Sequence, residues 1–120
     1  MRHVSVVRFA PRLGDVPDPY RGPALDFLGR GEVLLVAIGG ERDPFVGGEA
    51  RPVPSGYATD GALVWPLSLP HLLAHYETLE VPAELCAYLD AGPTRPADLD
   101  EGRSEELREY VLREELRRCE

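Results

Sequence analysis

The chain predicts an α+β fold, a small antiparallel or mixed sheet with about three helices covering one face. Three observations lead there. Twelve glycines and twelve prolines make one residue in five of the 120 a breaker, which argues for short elements joined by many turns. Val-rich runs near 3–9 and 32–38 and a Thr-Asp-Gly turn between β-formers supply strands. Leu69, Leu72, Leu73 and Tyr76 recur at helical spacing. Hydrophobic residues at 43% and charged residues at 28% exclude disorder throughout. A single domain, 1–120, is long enough to bury a sizeable core.

The first strand is read at 3–9 and ends at Pro11. Pro11, Pro17, Pro19 and Pro23 then make 10–23 a long irregular connection. Residues 24–28 form one helical turn, closed by Gly29 and Gly31. The continuous apolar run of 32–38, bounded by glycines, fits a buried central strand. Gly39-Gly40 and Gly47-Gly48 bracket a loop or short hairpin strand around Phe45-Val46. Strands at 56–59 and 62–65 flank Asp60-Gly61, which reads as a two-residue turn with positive φ at both central positions. Pro66 ends the second arm. Ser68 reads as the N-cap of a helix over 69–78 with Leu69, Leu72, Leu73 and Tyr76 inward. A second helix spans 82–91, with Gly92 as its stop. Residues 91–102 read as a linker, and Ser104 as the cap of a last helix over 104–118. Its Leu107, Tyr110, Val111, Leu112 and Leu116 form a stripe that can dock on the sheet or on a second subunit.

Charge is unevenly distributed. The net value is −8, and all thirteen basic residues are arginine. Residues 1–59 balance seven arginines against seven acids. Residues 60–102 set eight acids against Arg95 alone, a net of −7. An acidic field repels phosphate backbones, which excludes nucleic acid as the expected partner. It attracts a basic protein and speeds encounter. Arg8 interrupts the only N-terminal apolar run, and no stretch approaches the roughly 20 residues of a membrane span. The expectation is a cytoplasmic protein that binds no membrane. Cys86 and Cys119 have no metal-ligand or CxxC spacing and read as reduced thiols.

Candidate chemistry is sparse. The glycine pairs lack the phosphate-loop pattern, and there is no lysine to complete one. No serine sits in a nucleophile frame. His71 and His75 stand four apart on a helix, which can place two imidazoles on one metal, but Leu72 follows the first histidine where zinc proteases carry Glu. No cofactor or metal is expected. Trp65, at a strand end before a helix, reads as a core anchor. Tyr57, Asp60, Glu77, Glu80, Glu84 and Asp90 are the candidate partner-binding residues, an aromatic and acidic set in the segment that carries the charge.

Tyr57-x-Thr59-Asp60-Gly61-x-x-x-Trp65-Pro66, followed by Leu69, Leu73, Tyr76 and Val81-Pro82-x-Glu84-Leu85, resembles small uncharacterised actinobacterial proteins. In these a Thr-Asp-Gly hairpin with Trp leads into helices. They are similar in size and acidity to bacterial toxin-immunity proteins. The resemblance covers about a quarter of the chain. It implies a non-enzymatic, acidic protein-binding module, an immunity or inhibitor protein that occludes a basic partner such as a toxin. The alternative reading is a small enzyme or metal-binding domain using His71 and His75.

Overall fold

The computed structural model describes residues 5–92 and 101–119. Elements follow in the order β1 (Ser5–Val6), α1 (Arg21–Leu28), β2 (Glu32–Glu41), β3 (Val53–Thr59), β4 (Leu63–Pro66), α2 (Ser68–His75), α3 (Ala83–Asp90) and α4 (Glu101–Cys119). The fold is α+β, and the sheet is mixed. Its strand order is β1-β4-β3-β2, with β1 parallel to β4 and the other pairs antiparallel.

Alternation along β4 divides the core in two. Leu63 and Trp65 face α1, α2 and α3, in a cluster with Ala24, Leu28, Leu69, Leu72, Leu73 and Leu85. Val64 faces the other way and packs with Leu34, Leu107 and Val111. The C-terminal helix therefore takes the face opposite the other three. Its predicted stripe docks on the sheet through Leu107 and Val111, while Leu112 is exposed. Two arginines pin it there. Arg103 donates to the Gly61 carbonyl at 3.0 Å, and Arg108 Nε donates to the Leu34 carbonyl at 2.9 Å.

Trp65 is the anchor its position predicts. It is fully buried, with Phe27 at 5.4 Å between ring centroids. Gly31 lies so close over the indole that an added Cβ would collide with it. The Trp65 Nε1–H is buried without a hydrogen-bond partner among the described residues.

The run at 32–38 is an edge strand and not the central one its composition predicts. Leu34 is buried under α4, but Val33, Val36 and Ile38 are exposed. An apolar run is compatible with either place, and only the strand order decides. Irregularities between Val33 and Leu35 and between Ala37 and Glu41 interrupt its ladder with β3, a common way of blunting an edge.

The hairpin turn is displaced by one residue from its predicted position. Thr59 pairs with Val64, and the Asp60 amide donates to the Leu63 carbonyl at 3.3 Å, so the central residues are Gly61 and Ala62. Positive φ falls on Gly61 alone, at 102°, and not on Asp60. That is the φ pattern of a turn with glycine first, as in type II′. The Asp60 side chain explains the shift, because it bonds two amides ahead of itself and so holds its own backbone outside the turn centre.

The helix boundaries differ most from expectation in α1, α2 and α4. α1 runs two turns and not one, and its Arg21 Nε caps the end of α2 by donating to the Leu73 carbonyl at 3.0 Å. α2 begins at Ser68 after Leu67, without a side-chain cap, so Ser68 is inside the helix. It ends at His75, because Tyr76 turns extended and the chain beyond runs beside residues 12–14, through Gly14 N to Thr78 O at 2.7 Å and Glu80 N to Arg12 O at 2.8 Å. α4 starts at Glu101, so Ser104 lies within it. Gly92 does stop α3, its amide donating to the Leu89 carbonyl at 3.1 Å. The expected linker at 91–102 falls mostly outside the described residues, and Glu101 and Gly102 are helical. Residues 44–46, the core of the loop between β2 and β3, form a turn and not a strand.

Candidate functional site

The predicted partner-binding residues separate into two groups. Asp60 is 3% exposed and faces no solvent-accessible partner surface. Its Oδ1 accepts from the Ala62 and Leu63 amides at 3.0 and 2.8 Å, and its Oδ2 accepts from the Tyr88 hydroxyl at 2.6 Å. Burial first, and then the bond to Asp60, push the Tyr88 phenol well above its ordinary value. Thr59 completes the turn, accepting from the Gly61 amide and donating to the Leu63 carbonyl. Asp60 is buried and braces the fold. The turn needs an acceptor where the carboxylate sits.

Two further aspartates repeat this arrangement. Asp18 Oδ1 accepts from the Tyr20 amide at 2.9 Å, and its Oδ2 from the Val81 amide at 3.0 Å. Asp43 Oδ1 accepts from the Phe45 amide at 2.8 Å, and its Oδ2 from the Tyr76 hydroxyl. In all three, one oxygen braces the local turn two residues on, and the other reaches a segment 28 to 63 residues away. The Tyr76 bond is the main reason the Asp43 carboxyl is held below its usual range, and the same bond raises the Tyr76 phenol. Sequence reasoning counted Asp18 and Asp43 only as charges. The signal was present: Asp18-Pro19, Asp43-Pro44 and Asp60-Gly61 are all turn dipeptides.

The other predicted residues are outward. Glu77, Glu80, Glu84 and Asp90 are exposed. Glu77 and Glu80 lie in the connection between α2 and α3, so they do not share a helix with Glu84, which sits in the first turn of α3. Glu80 makes a long 3.9 Å contact with exposed Arg12. Asp90 accepts from the Tyr20 hydroxyl at 2.8 and 2.7 Å, the leading cause of the raised Tyr20 phenol. The side chains of Glu77 and Glu84 make no hydrogen bond or ion pair among the described residues. Tyr57 is half-buried on the α4 side of the sheet, packed against the Leu34–Val64 cluster and remote in sequence from the glutamates.

His71 and His75 stack with ring centroids 4.2 Å apart, and His75 Nδ1 lies 2.8 Å from the His71 carbonyl. Burial, reinforced by His75, lowers the His71 imidazole below its ordinary value. No group of three or more His, Cys, Asp or Glu among the described residues is placed to hold a metal ion. Cys86 is partly buried, and that burial raises its thiol. No helix of the described residues is long and apolar enough to cross a membrane. With this geometry in hand, no protein-family model matches the chain, and no curated protein or solved structure matches it either.

Proposed function

We propose that this is a non-enzymatic protein-binding module that engages a basic partner through its acidic surface, in the manner of an immunity or inhibitor protein set against a toxin. One observation carries the reading. Glu77, Glu80 and Glu84 are all exposed within eight residues, and two of them have no partner among the described residues. Carboxylates left unpaired in water keep their field available for a cationic surface. Asp90 adds to the charge but is already bonded to Tyr20. Asp60 is buried and Tyr57 lies half-buried on the sheet face, so the reading rests on the glutamates and Asp90. A cytoplasmic site of action goes with this reading.

The test is kinetic. A partner recovered at low salt from the source lysate is measured against the parent and against Glu77→Gln, Glu80→Gln, Glu84→Gln combined. The reading expects a slower on-rate for the triple variant at low salt, with little change in off-rate. The difference should vanish near 1 M salt, where screening shortens the field to about 3 Å. An unchanged on-rate at low salt makes these glutamates solubilising surface only.

A further inference from the structure

We propose that two copies of this chain pair along the outer edge of β2, antiparallel about a two-fold axis at Val36. Each sheet then continues into the other as a closed, symmetric dimer. The inference is independent of the acidic-surface reading, because it uses none of those glutamates. β2 stands last in the strand order, so its outer side meets no further strand among the described residues.

The backbone of this edge is turned outward where pairing needs it. The Gly56 carbonyl accepts from the Leu67 amide, so Gly56 directs its polar groups toward β4. Val36 is its register partner in β2. The two therefore form a non-hydrogen-bonded pair, and Val36 points its own N–H and C=O away from β3. Val33, opposite Ala58, repeats this two residues along β3, and Ile38 repeats it two residues along β2. Leu34, the residue skipped between Val33 and Leu35, gives its carbonyl to Arg108 and is not needed.

The side chains follow the same spacing. Leu34 and Leu35 both pack with the α4-side cluster, so the skipped residue leaves Val33, Val36 and Ile38 together on the other face. All three are exposed, Ile38 completely. Antiparallel pairing about Val36 sets this residue against its own copy and sets Val33 against Ile38 of the other chain. Each bulge then faces the regular 36–38 stretch opposite, and the left-handed Gly39 and Gly40 lie beyond the paired segment. The three apolar side chains of each copy meet in one continuous row.

Composition selects the occupant. Residues 33–40 carry no charge and no proline, the usual guards of an exposed edge. On the flanks Arg30 and Arg42 balance Glu32 and Glu41. The edge thus offers a basic partner no acidic excess, and it adds nothing to the repulsion between two chains of charge −8. A second β2 supplies the matching apolar spacing. Three side chains and one short ladder per copy fall below the roughly 800 Å² per partner of a standard interface. The dimer is therefore weak and concentration-dependent.

Sedimentation equilibrium of the full chain, taken up to about 1 mM, should show monomer and dimer and no larger species. The dimer should persist at about 1 M salt, where contacts driven by the acidic surface are screened. Val36→Lys sets two like charges opposite each other and should weaken dimerisation about tenfold or more. Because the position is exposed, thermal unfolding of the dilute monomer should not change. Cross-linking reads the register, on a Cys119→Ser background with oxidised glutathione. Val36→Cys should give a disulfide-linked dimer, since directly opposite Cα atoms lie about 4.5–5.5 Å apart. Val33→Cys alone should not, its counterpart being four pairing steps or about 14 Å away, but it should link when mixed with Ile38→Cys. The proposal is overturned if the chain stays monomeric throughout, if Val36→Lys leaves association unchanged, or if Val33→Cys links to itself as readily as Val36→Cys.

Discussion

Acidic residues do two different jobs in this chain, and the loops that carry Asp18, Asp43 and Asp60 differ sharply from the stretch that carries Glu77, Glu80 and Glu84. Each aspartate bonds a backbone amide two residues on and then a second, distant segment. The glutamates bond almost nothing. Side-chain length explains the division. Asp is short enough to fold back on its own turn and still direct its second oxygen elsewhere, whereas Glu at an exposed position extends into water and loses rotamer entropy if fixed. Formal charge alone treats both sets as one acidic face. Hydrogen bonding separates fold from surface.

The sharpest way to break the comparison is Asp60→Ala. It strands the buried Leu63 amide and the part-buried Ala62 amide and Tyr88 hydroxyl, and should cost about 3 kcal/mol in urea unfolding. A cost below about 1 kcal/mol would place Asp60 with the glutamates. Gly61→Val comes next. The positive φ of this residue resists a β-branched side chain, so a loss of about 1–2 kcal/mol is expected by thermal denaturation.

Tyr76→Phe tests Asp43 more locally. Because the folded Asp43 carboxyl titrates lower than in the unfolded chain, its contribution is complete above the unfolded value and is lost as pH falls through the folded one. An acid titration followed at the Phe45 amide should show a midpoint below the ordinary aspartate range. Tyr76→Phe should move that midpoint upward, since the hydroxyl bond is its main cause. The smallest stability effect belongs to Glu77→Gln, Glu80→Gln and Glu84→Gln, each within about 0.5 kcal/mol of the parent. A larger change by calorimetry would show that the glutamates brace the fold as the aspartates do.

Much of this organisation was written locally. Thr59-Asp60-Gly61, Trp65, the Leu69–Leu72–Leu73 face and the Gly92 stop each express a short-range rule, namely turn chemistry, side-chain size or a 3.6-residue period. The sequence therefore determined the hairpin, the anchoring tryptophan and the inward faces of α2 and α4. Strand order was beyond it. Val33, Val36 and Ile38 read the same in a central strand as at the edge, and only the pairing of β3 with β4 left β2 outside. The placement of α4 on the second face and the long reach of Asp18, Asp43 and Asp60 to Val81, Tyr76 and Tyr88 were likewise decided in three dimensions. The physical reason is common to all of these. Local rules act over a turn of helix or a hairpin, while neighbours brought together from dozens of residues away are chosen by the packing of the whole core.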